Sequence, residues 1–202
     1  MNSTLNSTIG FWGEPTSTDW CEKNHEVSYY VAEFFNTISS LCLVCMGIFG
    51  SIMHAKGFDY RFTLCFRTIT VIGFGSILFH GTLLFRLQHF DGIPMIFFVL
   101  TLFYSGEKSI RTLMIGGTII FLIGYLAWNI DYHFCEEMNK ILNPQLHAWW
   151  HLTASYSIYS ISLIVMFDRS KMLGKNPKIK WIYFILPYVE LPEDIVIKIK
   201  TL

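Results

Sequence analysis

Apolar residues gather along the chain in five stretches, at 29–53, 62–85, 88–106, 112–131 and 146–167, separated by short polar segments. A bilayer core about 30 Å thick needs about 20 helical residues rising 1.5 Å each, so the pattern predicts five spanning helices. The third is the weakest, with Asp91 and Pro94 near its start and a short apolar centre. Residues 179–189 hold Trp181, Tyr183, Phe184 and Tyr188 but are too few to span, and read as an interfacial aromatic segment after the last helix. The fold class expected is all-α: a polytopic transmembrane helix bundle in a single domain. Residues 1–28 would precede the membrane, 29–167 would form the bundle and 168–202 would be a tail.

Basic residues orient the bundle. With the N-terminus lumenal, only Lys23, Arg86 and Lys140 fall on the lumenal side. Lys56, Arg61, Lys108, Arg111, Arg169, Lys171, Lys175, Lys178 and Lys180 then lie in the cytosol, together with the C-terminus. Sequons at Asn2 and Asn6 agree with a lumenal start. Residues 1–20 show neither a basic n-region nor an apolar h-region, so insertion is expected to begin with the first helix.

Composition supports the membrane reading and narrows the function. The 202 residues are 52% hydrophobic and 15% charged, with eighteen Phe, and mean hydropathy is +0.43. Fifteen Lys and Arg balance fifteen Asp and Glu, which excludes the basic field of a nucleic-acid-binding protein. Five cysteines are too few for a disulfide scaffold. Cys42, Cys45 and Cys65 lie in apolar stretches and read as packing residues, despite the redox-like spacing of the first two.

The chemistry lies in polar residues that lipid should exclude. An ionisable group at mid-helix costs about 2.5–3.5 kcal/mol on insertion scales and so needs a partner or a role. Ser76 and His80 are four residues apart in the second helix, and His147 and His151 are four apart at the start of the last. Each pair therefore shares a helix face. In the topology above His80, His147 and His151 meet at the lumenal leaflet, with Asp91 and Asp131 at the same boundary. Three histidines with one open position are the pattern of a catalytic zinc, whose water ligand has a pKa near 7. A lone histidine would read better as an interfacial hydrogen-bonding residue; three converging at one depth favour a metal. His25, His54, His89 and His133 lack such company and read as boundary residues.

A second polar cluster comprises Asp19, Trp20, Glu22 and Asn24, then Glu33 and Asn36 at the head of the first helix. Two readings stand. Its oxygens could wrap calcium, a hard cation, or its acids could cap the first helix as a solvated segment.

Taken in order, these blocks resemble the alkaline ceramidases. The similarity rests on Asp19-Trp-Cys-Glu22-x-Asn24, Val31-Ala-Glu33-Phe-Phe-Asn36-Thr, Gly75-Ser76-x-x-Phe79-His80, Asp91-x-x-Pro94-Met95, Trp128-Asn-Ile-Asp131 and Gln145-Leu-His147-Ala-Trp-Trp-His151. The resemblance implies a seven-helix membrane hydrolase, of a superfamily shared with the adiponectin-type receptors, that cleaves ceramide to sphingosine and a fatty acid in the endoplasmic reticulum or Golgi. It implies Zn2+ on His80, His147 and His151, Asp91 as general base and then acid, and Ser76 supporting the oxyanion. It also implies Ca2+ on Asp19, the Trp20 carbonyl, Glu22, Asn24 and Glu33, and a disulfide between Cys21 and Cys135.

One departure stands out: five helices are read where the family has seven. The loss falls after the third helix, where residues 103–111 lead almost directly into the fourth. An even number of missing helices preserves the sidedness of everything downstream. The exposed faces would then need lipid, a partner or a second copy to cover them. Two other readings follow, a truncated lipid-binding or scaffold protein that retains the metal site without turnover, and a related receptor; the acidic N-terminal signature disfavours the latter.

Overall fold

The computed structural model describes residues 9–17, 20–87, 111–140 and 143–192. The third expected helix, Asp91 and Asp19 lie outside them. Among the described residues four long helices and one short one, α1 (Phe34–Met53), α2 (Tyr60–Thr82), α3 (Arg111–His133), α4 (Cys135–Asn139) and α5 (Leu146–Met172), are followed by an antiparallel hairpin, β1 (Lys178–Ile182) and β2 (Leu186–Glu190). α1, α2 and the Ile115–His133 part of α3 are long and apolar enough to cross a bilayer. The chain is a helical membrane protein. At 27 residues α5 is also long enough to span, but it is the polar centre of the bundle: His147, His151, Ser155, Ser157 and Ser160 are all buried.

Small residues let the helices approach, as expected where lipid gives apolar side chains no reason to leave it. A Cβ on Gly73 of α2 would sit 2.7 Å from the Val44 backbone nitrogen, and one on Gly47 of α1 would sit 2.7 Å from the Phe66 carbonyl oxygen. α3 packs on α5 in the same way. Ser157 Oγ donates to the Gly117 carbonyl at 3.0 Å, and a Cβ on Gly124 would collide with Thr153. The other face of α3 exposes Ile115, Ile119, Leu122, Ile123, Leu126 and Ile130 at helical spacing, a stripe suited to lipid.

The two ends of the bundle differ in character. At the end bearing the α1–α2 turn, Phe66, Leu163, Met166, Tyr159 and Val189 form an apolar core. At the other, polar side chains from α1, α2 and α5 converge.

Residues 179–189, expected as an interfacial segment, form most of the hairpin. His54 clips it to the bundle. Its Nδ1–H donates to the Gly50 carbonyl at 2.9 Å, and its Nε2 accepts from the Val189 amide at 3.1 Å. Burial pushes this imidazole down to about 4, so it stays neutral and can accept. His54 is thus an interior strut rather than a boundary residue.

Candidate metal centre

Helix ends supply the site. His80 occupies the last turn of α2, while His147 and His151 occupy the first two turns of α5. Their candidate ligand atoms all lie within 4.8 Å of one another, and all three side chains are buried. Among the described residues this is the group able to hold a metal ion. Its hydrogen-bonding favours an ion. Neither ring nitrogen of His147 nor Nε2 of His151 has a hydrogen-bond partner within the protein. Each buried polar atom left so costs about 1–3 kcal/mol. A soft-to-borderline cation would take up one nitrogen of each ring, and the donor set suits Zn2+.

The surrounding groups fix the rings. His80 Nδ1 lies 2.6 Å from Glu33 Oε2, with both side chains fully buried. A carboxylate behind a histidine sets its tautomer and turns Nε2 toward a metal. Glu33 is itself held, by the Trp20 amide on Oε1 at 3.1 Å and by Asn36 Nδ2 on Oε2 at 3.0 Å. His151 Nδ1 sits 3.0 Å from the Asn36 carbonyl, 2.8 Å from Ser39 Oγ and 3.2 Å from Ser40 Oγ. That carbonyl accepts a proton on Nδ1, which leaves Nε2 as the ligand atom. Ser76 Oγ is 3.0 Å from Ser40 Oγ, so the serine singled out in the sequence joins this network. The Trp20 indole covers His147, with ring centroids 4.0 Å apart.

The N-terminal acids have structural partners of their own. Both Glu22 oxygens accept amides at the start of α1, from Phe35 at 2.7 Å and Asn36 at 2.9 Å. Glu22 thereby does the capping that the side chain of Glu33, the residue at the N-cap position, does not do. Burial pushes the Glu22 carboxyl up to about 7 against the pull of those amides, and the nearby Glu33 adds to the rise. Of the residues expected to hold calcium, Glu22, Asn24 and Glu33 are buried close to the start of α1, and Asp19 lies outside the described residues. Asp131 ties two segments together, accepting from the Cys21 amide at 3.2 Å and the His147 amide at 3.3 Å. Cys21 and Cys135 are joined as a disulfide, with Cα atoms 5.2 Å apart.

Sequence reasoning missed Ser39, Ser40 and the bond from Glu33 to His80. A signal was present. Glu33, Asn36 and Ser40 recur at helical spacing in an otherwise apolar segment, which marks an interior-facing stripe.

The family model for ceramidase matches residues 13–109 and again 104–190. The chain is 29% identical to alkaline ceramidase 3 of Mus musculus over 251 aligned positions, covering 89% of this chain and 94% of that one. It is 27% identical to an alkaline ceramidase of Arabidopsis thaliana, covering 90% and 95%. An alkaline ceramidase of Saccharomyces cerevisiae is 24% identical, covering 84% and 81%. An alignment of 251 positions exceeds this chain of 202, so stretches of the mouse protein lie opposite gaps. The two family matches meet at residues 104–109, within the stretch where the missing helices were expected. With matches that together run from residue 13 to residue 190, the chain belongs to the ceramidase family.

Proposed function

We propose that this chain is a zinc-dependent amidohydrolase that cleaves ceramide to sphingosine and a fatty acid within an internal membrane, the endoplasmic reticulum or Golgi. The observation that carries the reading is the convergence of three buried histidines, His80, His147 and His151, whose candidate ligand atoms lie within 4.8 Å of one another. Family membership supplies the substrate class, since the relatives are named alkaline ceramidases.

Amide hydrolysis needs an activated water, a polarised carbonyl and a proton for a poor amine leaving group. Zinc, when bound, supplies Lewis acidity and a water ligand of lowered pKa. The chain's own residues do the rest. Glu33 and the Asn36 carbonyl orient His80 and His151. Ser76 presents a hydroxyl at the same depth to the developing oxyanion. Asp91, outside the described residues, takes the role of base and then acid on the strength of its motif. Calcium on Asp19, the Trp20 carbonyl, Glu22, Asn24 and Glu33 would order the α1 terminus that carries Glu33, without chemistry of its own. The asymmetry of the basic residues supports a lumenal N-terminus and a cytosolic C-terminus.

Purified protein given ceramide labelled in its acyl chain tests the proposal. Release of labelled fatty acid that is lost in His147→Ala supports it. No release by well-folded wild-type protein overturns it.

A further inference from the structure

The hairpin tip is the most exposed apolar feature among the described residues. Tyr183 and Phe184 are 87% and 95% exposed, and Ile185 and Trp181 are exposed beside them. Both tip aromatics sit in the left-handed region, with φ of 48° and 60°. That conformation costs a side-chain-bearing residue about 1–2 kcal/mol, and glycine or asparagine is usual there. The turn's own geometry therefore gives no reason for two aromatics.

The hairpin's attachments place this tip in depth. Val189 is held by His54 at the end of α1 remote from the metal centre. From there β2 runs back along α5: Tyr159 Oη donates to the Pro187 carbonyl at 2.6 Å and Tyr156 Oη to the Ile185 carbonyl at 3.3 Å. Four strand residues cover about 13 Å. Tyr156 itself lies ten residues into α5, about 15 Å from its start and so about halfway through a 30 Å core. With α5 crossing the bilayer from its first residue, as the sequence pattern expects, the turn would lie inside the slab rather than beyond it.

The edge chemistry agrees. The Ile185 and Pro187 carbonyls and the Val189 amide on the outer edge of β2 are each bonded to a side chain of the bundle, and Pro187 has no amide to satisfy. The turn closes on itself through the Ile185 amide and the Ile182 carbonyl at 3.1 Å. In hydrocarbon each of these groups, left unbonded, would cost several kcal/mol. Polarity also runs along the hairpin. Lys178 pairs with Glu190 in register at its base and Lys180 forms an ion pair with Glu190, whereas residues 181–186 are apolar apart from the Trp181 indole N–H and the Tyr183 hydroxyl.

We propose that the hairpin is a re-entrant membrane element. Its aromatic turn is embedded among lipid acyl chains of the leaflet opposite the metal centre, and its lysine-bearing base lies at the headgroups. Long basic side chains reach the headgroup layer readily, which suits Lys178 and Lys180.

A spin label reads the depth. The full chain would carry Cys42→Ala, Cys45→Ala and Cys65→Ala, with either Phe184→Cys or Lys178→Cys labelled, in phosphatidylcholine vesicles. The expected result is a Phe184→Cys label relaxed by oxygen and shielded from a water-soluble nickel chelate, with the Lys178→Cys label open to nickel. Equal nickel access at both sites overturns the proposal, as does dipolar broadening at Phe184→Cys showing that a second copy covers the turn. Fluorescence lost in Trp181→Phe, in the otherwise native chain, gives the second reading. Quenching of that component by lipids brominated on the acyl chain supports the embedding, and no quenching contradicts it.

Discussion

Buried side chains around the three histidines differ in what they can be asked to do. Both oxygens of Asp131 hold backbone amides, so its evident work is to join the N-terminal segment to α5. Glu33 instead holds a ring. Glu33→Gln keeps the size and removes the charge behind His80, and zinc affinity should fall by about 10–100-fold, the usual effect of losing such a partner. Competition against a chromogenic chelator would measure it, and unchanged affinity would make Glu33 a packing residue. Asp91→Asn should leave zinc content intact while hydrolysis drops by about two to four orders of magnitude, as for a lost proton shuttle. Full activity would move that role elsewhere. At this scale the sequence is informative where spacing alone carries meaning: two histidines four apart must share a helix face. It cannot say that Glu33 meets His80, because forty-seven residues separate them and only the α1–α2 crossing brings them together.

Elements repeat the lesson. Helices α1, α2 and α3 are legible because hydrocarbon allows little else for a long apolar stretch. The hairpin is not, because Tyr183-Phe184 offers none of the glycine, asparagine or proline by which turns announce themselves. Nothing local marks His54 as its anchor either; the partner is Val189, across the whole fold. That anchor should respond to pH. His54 titrates near 4 when folded against an ordinary 6.5. A depressed value means that its contribution is fully present above 6.5 and is lost as pH falls toward 4. Hydrogen-exchange protection of the Val189 amide should decline across that window and stay flat above it; a flat profile throughout would remove His54 as the cause. At the α1–α2 crossing, Gly73→Val would force its Cβ against the Val44 backbone nitrogen. The cost should be about 1–3 kcal/mol, as for other overpacked sites, read as a lowered Tm.

Across the whole molecule, the Cys21–Cys135 disulfide and the Asp131 bridge are among the ties that join the halves of the chain at the metal end. The disulfide closes a loop spanning 114 positions. Losing a native bridge typically costs about 2–5 kcal/mol, so Cys135→Ser should unfold at lower temperature than wild type. An unchanged Tm would show that helix packing alone carries the assembly. The order of motifs identifies the family from sequence, whereas the arrangement of the metal end depends on contacts between segments more than a hundred residues apart. The account stands on that end of the bundle being a zinc site. Elemental analysis of protein purified without added metal tests this directly. About one zinc per chain in wild type, lost in His147→Ala, is the expected result. No zinc in wild type, or equal zinc in both, would contradict it.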